Sequence, residues 1–236
     1  MIKVDASWQD IVLKAYKKLD PRYREFLEKD EGYFPSFDRF LNAFKTLSLD
    51  KTRYILFGQD PYPREQSAIG YAFIDGKVDK IFSENGLSKE VNRATSLRNF
   101  IKMLLVANGS LREDETSQEA IAKVDKSRFI TDIMQLKENF EKNGVLLLNI
   151  SLIFTDKKST TLHVREFLPF IEELLYNLRG KKIELIMLGN ISKSIEKKIP
   201  SSQSFVSFKA VHPYNISFIK EKSVRDFFAP MDLLLC

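Results

Sequence analysis

The amino-acid sequence predicts an α/β protein, a single domain built on a short central, mostly parallel four-stranded sheet with helices on both faces. Three observations lead there. Four short apolar runs are spread along the chain, helical patterns lie between them, and no Pro/Gly/Ser-rich stretch divides the 236 residues into separate parts.

The first helical pattern covers 7–29, where Trp8, Ile11, Val12, Ala15, Tyr16 and Leu19 recur at helical spacing before a break at Gly32 and Pro35. A short helix is predicted over Ser36–Lys45. The first apolar run, Tyr54-Ile55-Leu56-Phe57, is ended by Gly58, and the second, Val145-Leu146-Leu147-Leu148, by Asn149. Ile183 to Leu188 is a third, ended by Gly189, and Phe205 to Val211 a fourth, less apolar one. Further helical patterns lie at about 96–107, 129–142, 165–178 and 190–198, with a last one near 219–235. Strands alternating with helices imply a mostly parallel sheet covered on both sides. Two stretches rich in Lys, Asp, Glu and Ser, 74–94 and 108–128, interrupt the alternation and are expected to be solvated surface insertions.

Composition narrows the function classes. No apolar run approaches the length needed to span a bilayer, and the start, Met1-Ile2-Lys3-Val4-Asp5, has no apolar stretch followed by small residues. A soluble cytoplasmic protein without a signal peptide or membrane partner is expected. The only cysteine is Cys236, so neither an internal disulfide nor a cysteine zinc site can be built. The two histidines, His163 and His212, stand in no HxxxH spacing and would have to recruit carboxylates to hold a metal, so neither metal nor cofactor is expected. His163, in a polar stretch before a helix, reads as a capping or solvent-exposed residue. A formal charge of +5 weakly favours a polyanionic partner.

In an open parallel sheet the ligand crevice lies beyond the carboxyl ends of the strands. Here those ends carry Gly58-Gln59-Asp60-Pro61-Tyr62-Pro63, Asn149-Ile150-Ser151, Gly189-Asn190-Ile191-Ser192 and His212-Pro213-Tyr214-Asn215-Ile216-Ser217. A carboxylate, a carboxamide and an imidazole are therefore expected to converge on one crevice. On residue type alone, Asp60 could equally stabilise a turn and Phe73 could pack in the core.

At these positions the chain resembles uracil-DNA glycosylases of the main, family-one type. Tyr33-Phe34-Pro35 through Asn42-Ala43-Phe44 is similar to that family's proline turn and Asn-Ala-Phe helix, and Ile55 to Tyr62 to its water-activating loop. Gly70-Tyr71-Ala72-Phe73 is similar to the segment with the stacking phenylalanine, and Gly144 to Asn149 to the uracil-recognition strand. Gly189-Asn190 and His212-Pro213 follow in the same order. The departures fall in the DNA-gripping loops: Pro63 stands where the family has His, and Arg93-Ala94-Thr95 precede Ser96 where it has prolines. Asn190 replaces a serine, and Tyr214-Asn215-Ile216-Ser217 replaces Ser-Pro-Leu-Ser.

The resemblance implies release of uracil from single- or double-stranded DNA by a monomeric enzyme. Uracil leaves as an anion while the sugar gains positive charge. Asp60 would hold the attacking water and stabilise the sugar cation, and a neutral His212 would donate to the oxyanion. Asn149 would read the imide edge, Tyr62 would exclude a 5-methyl group, Phe73 would stack on the base, and Gln59 would offer main-chain contact near the 2-oxygen. Ile216 stands where the family inserts a leucine into the base stack, with Tyr214 beside it; Ser96, Ser192 and Ser217 would meet DNA phosphates. Two other readings compete: the same fold acting on another deaminated base such as hypoxanthine, and a catalytically idle DNA-binding protein.

Overall fold

The computed structural model describes residues 2–30 and 32–236; Met1, read above as part of a start without a leader, lies outside them. In chain order the elements begin with helices α1 (Gln9–Lys17), α2 (Pro21–Lys29) and α3 (Ala43–Thr46), strands β1 (Tyr54–Gly58), β2 (Phe82–Ser83) and β3 (Gly86–Leu87), and helix α4 (Lys89–Arg93). Then come α5 (Thr95–Ala107), α6 (Gln118–Lys123), α7 (Ile133–Lys142), β4 (Val145–Asn149), α8 (Thr160–Leu178), β5 (Glu184–Leu188) and α9 (Ile191–Lys198). Strand β6 (Ser207–Ala210) and helices α10 (Ser217–Lys220) and α11 (Lys222–Phe228) close the chain. Contacts group these elements into two compact units, one of Met1–Asp75 with Gly144–Lys209, the other of Gly76–Asn143 with Ala210–Cys236.

The first unit carries the predicted α/β sheet, with strand order β4-β1-β5-β6 and helices flanking it. β1 runs parallel to β4, with Tyr54 opposite Val145 and Gly58 opposite Asn149, and parallel to β5 on its other side. Side chains alternate across the sheet. Ile55, Phe57, Leu146, Leu148, Leu185 and Met187 join the apolar cluster that also holds Trp8, Val12, Phe167, Phe170 and Leu174 of the helices. The alternate residues Leu56, Leu147 and Ile186 are buried too, as expected for strands without a solvent face. The predicted helix over 7–29 is instead two helices. Pro21 cannot continue a helix, and the Asp20 side chain accepts from the main-chain N–H of Arg22 at 2.8 Å, starting α2 afresh. The segment predicted helical over Ser36–Lys45 is mostly tight turns, such as Arg39 N–H to the Ser36 carbonyl, with α3 at its end.

His163 is neither exposed nor a cap. It lies 3 % exposed in α8, its Nδ1 2.7 Å from the Tyr23 hydroxyl and its Nε2 2.9 Å from the Thr155 hydroxyl. Burial lowers its pKa below the ordinary imidazole value.

The second unit contains both stretches expected to be solvated insertions, apart from the first two residues of one, and they are more ordered than that. Residues 82–87 form an antiparallel hairpin of β2 and β3, while Val78, Ile81, Leu87, Val91, Ala120 and Ile121 are buried. The Gln118 side chain of α6 accepts from the Leu87 N–H at 2.8 Å and donates to Asn92 Oδ1 at 2.8 Å. A Cβ at Gly86, whose φ is +115°, would lie 2.5 Å from Gln118 Oε1. The hairpin and α6 are thus interlocked where only glycine fits. The last predicted helix, 219–235, breaks into α10, α11 and a 3-10 turn over Ala229–Met231 that contains Pro230.

Candidate active site

In the first unit the parallel pairing of β1 and β4 continues past the strand ends. Ile150 N–H donates to the Gly58 carbonyl and Ser151 N–H to the Gln59 carbonyl, each at 2.9 Å. Asn149 is thereby held beside Gly58, two residues before Asp60. The fit is close: a Cβ at Gly58 would stand 2.1 Å from Asn149 Oδ1 and 2.9 Å from Ala72 Cβ. Ala72 N–H in turn donates to the Leu147 carbonyl at 3.1 Å, which brings the segment before Phe73 to the same strand end.

Asn149 is buried, 6 % exposed, and Asp60 is half-buried. Burial raises the Asp60 pKa above the ordinary carboxylate value, because an ion loses hydration there. Tyr62 is also half-buried, and its phenol is pushed up by desolvation and by the nearby Asp75 charge, so it stays a neutral donor. Its hydroxyl donates to the Phe73 carbonyl at 3.2 Å. Phe73 has φ of 68°, a left-handed conformation that a bulky residue adopts only under constraint. The Gln59 side chain is exposed. Past β5, Ser192 lies in the first turn of α9 and donates its hydroxyl to the Gly189 carbonyl at 3.1 Å.

The second unit carries the other candidates. The His212–Ser217 segment is a turn, closed by Asn215 N–H to the His212 carbonyl at 2.9 Å. Tyr214 N–H points at His212 Nδ1, 3.1 Å away. A main-chain N–H can only donate, so Nδ1 accepts, and the neutral ring carries its proton on Nε2. The imidazole is exposed by surface area, yet the protein around it lowers its pKa by desolvation, which favours this neutral form. Tyr214 and Ile216 are 71 % and 61 % exposed, large apolar surfaces with an open outer side. Ser217 is exposed at the start of α10, and Ser96 is half-buried in the first turn of α5.

Among the described residues no group of three or more His, Cys, Asp or Glu is gathered to hold a metal, and no helix is long and apolar enough to cross a membrane.

A family model described as the uracil DNA glycosylase superfamily matches residues 44–232. The chain belongs to that superfamily. As a glycosylase it is similar to the wild-type UNG of Nitratifractor salsuginis, whose crystal structure is 51 % identical and superposes with a TM-score of 0.96, covering 98 % of this chain and 93 % of that one. The uracil-DNA glycosylase of Fusobacterium nucleatum is 26 % identical over 223 residues, 92 % of this chain and 84 % of that protein. The mimivirus uracil-DNA glycosylase shares the fold, at 16 % identity and a TM-score of 0.56 over 89 % of this chain and 68 % of that one.

One buried polar residue of the glycosylase went unread in the sequence. Asn99 of α5, 1 % exposed, donates to the carbonyls of Pro213 at 2.7 Å and Tyr214 at 3.4 Å. The signal was present: Asn99 interrupts the stripe of Leu97, Phe100, Ile101, Met103 and Leu104, and a carboxamide on an apolar helix face must find partners.

Proposed function

We propose that this glycosylase hydrolyses the N-glycosidic bond of deoxyuridine in DNA, releasing uracil and leaving an abasic site. The observation that carries the reading is the pairing of Gly58 with Asn149, which sets a buried carboxamide opposite the residue two positions before a half-buried carboxylate. A fixed carboxamide meets the imide N–H and 4-oxygen of uracil, whereas cytosine presents the opposite polarity and leaves donors unpaired.

In this reading Asp60 positions water at the sugar carbon. The bond to the base nitrogen breaks with its electrons going to uracil, and the carboxylate stabilises the charge left on the sugar; the water oxygen then bonds to that carbon and releases a proton, and the uracil anion takes up a proton as it leaves. His212, protonated on Nε2, donates to the uracil 2-oxygen as negative charge builds there. Gln59 contributes main-chain contact near that oxygen, Tyr62 bars thymine, and Phe73 stacks on the base. The substrate is extruded from the duplex at a stacking cost of a few kcal/mol, offset in part by Ile216 and Tyr214 entering the stack, while Ser96, Ser192 and Ser217 hold phosphates. The enzyme works as a monomer and a single domain, without a cofactor.

The test is release of free base from oligonucleotides carrying uracil, hypoxanthine or thymine, in single and double strands. Uracil release alone is the expected result. Preferred release of hypoxanthine would assign a different base, and release of none would leave a DNA-binding protein.

A further inference from the structure

We propose that Asn99 is a positioning residue for His212, acting through the peptide between Pro213 and Tyr214 to hold the imidazole in its Nε2–H form. The proposal rests on the role assigned to His212 above and adds how the fold enforces it.

The argument follows three bonds in a row. Backbone carbonyls only accept, so the Asn99 atom facing those of Pro213 and Tyr214, at 2.7 and 3.4 Å, is its amide nitrogen. The Pro213 carbonyl and the Tyr214 N–H belong to one planar trans peptide, in which the two groups point opposite ways. Gripping the carbonyl on one side therefore aims the N–H on the other, and that N–H meets His212 Nδ1 at 3.1 Å. Hydrogen bonds in series also polarise one another, so the peptide donates to the ring more strongly while its carbonyl is engaged.

Two features favour a dedicated role over packing. Asn99 sits on the apolar face of a 13-residue helix, where a leucine would fill the space without needing partners. Its Oδ1 is buried with no hydrogen-bond partner among the described residues, so the residue bears an unsatisfied acceptor while supplying its donors to the loop. The turn is exposed from Tyr214 to Ser217.

The test uses the whole chain with nitrogen-15-labelled histidine, at about pH 8, where imidazoles are neutral. Only two histidines are present. His163, hydrogen-bonded by Tyr23 and Thr155, reports on the integrity of the fold. In the unmodified protein the two ring nitrogens of His212 should resonate at the limits of a single Nε2–H tautomer. In Asn99→Leu, and in the milder Asn99→Ser if the first does not fold, they should move toward a tautomer mixture while His163 stays unchanged. A single tautomer retained in a folded variant would overturn the proposal. Activity gives a second reading: Asn99→Leu should lower kcat by about tenfold with KM nearly constant, and should cause no further loss in a His212→Gln background. Equal loss in both backgrounds would mark Asn99 as structural only. Failure of the unmodified protein to release uracil would count against the proposed function and leave the tautomer result standing.

Discussion

The phenolic hydroxyl of Tyr62 is hydrogen-bonded to the main-chain carbonyl of Phe73, 3.2 Å away, so the ring proposed to face the base's 5-position is tied to the residue proposed to stack on it. Two substitutions separate the tie from the bulk. Tyr62→Phe keeps the ring and removes the hydroxyl's bond to that carbonyl; uracil release should fall by roughly tenfold, about 1–2 kcal/mol for the loss of one half-buried hydrogen bond, and thymine should remain uncut. Tyr62→Ala should open the site to thymine. Free thymine measured from matched oligonucleotides decides it, and none detected with uracil release intact would remove Tyr62 from base selection.

Asp60→Asn should lower turnover by more than about a hundredfold while DNA binding persists, since a charge is removed with little change of volume. It should also stabilise the fold at neutral pH. The folded carboxyl titrates above its ordinary value of 3.8, so protonation favours folding: the contribution is fully present below that value and is lost as pH rises through the raised one. The variant's gain in Tm should therefore be present at pH 7 and vanish in acid. A variant that is no more stable at neutral pH would show that Asp60 is well solvated.

Gly58→Ala should impair uracil release through Asn149. The added carbon would lie 2.1 Å from Asn149 Oδ1, so the carboxamide must turn away. A loss of about ten- to a hundredfold in kcat/KM is expected, in line with an overpacking cost of about 1–3 kcal/mol. Combined with Asn149→Ala, the same substitution should add little. Steady-state kinetics of the two single variants and the double variant test this, and additive losses would point to displaced strands.

Ile216→Ala should harm cleavage in duplex DNA much more than in single strands, where there is less stacking to overcome. The side chain is 61 % exposed, with most of its surface available to enter a base stack. Removing an apolar wedge should cost about 1–3 kcal/mol in duplex specificity, roughly ten- to a hundredfold. The comparison is of kcat/KM on both substrate forms at one salt concentration, since phosphate contacts are salt-dependent. An equal drop on both would make Ile216 a packing residue of its loop.

The sheet was legible in the sequence because its strands are short apolar runs closed by Gly58, Asn149 and Gly189. Helix boundaries were less so. Over 7–29 the apolar spacing spans two helices whose division depends on Asp20 and Pro21, a local cap that periodicity does not register. Candidate site residues were proposed from motif order, but the bonds that hold those side chains could not be read there. The Tyr62 hydroxyl to the Phe73 carbonyl is a side-chain to main-chain contact across 11 residues, and Asn99 reaches Pro213 across 114. Such contacts exist only once tertiary packing brings remote segments together. His163 was misread for the same reason: its partner Tyr23 lies 140 residues away along the chain.

The close seating of Gly86 against Gln118 bears on how the two long loop regions can change over time. Since the hairpin takes its Leu87 hydrogen bond from α6, and α6 uses the same side chain to hold Asn92, shortening either region would strand polar groups in the other. The two segments form a single heritable unit: a shorter relative should lack both together, and trimming the enzyme to a smaller version would require removing them as a pair.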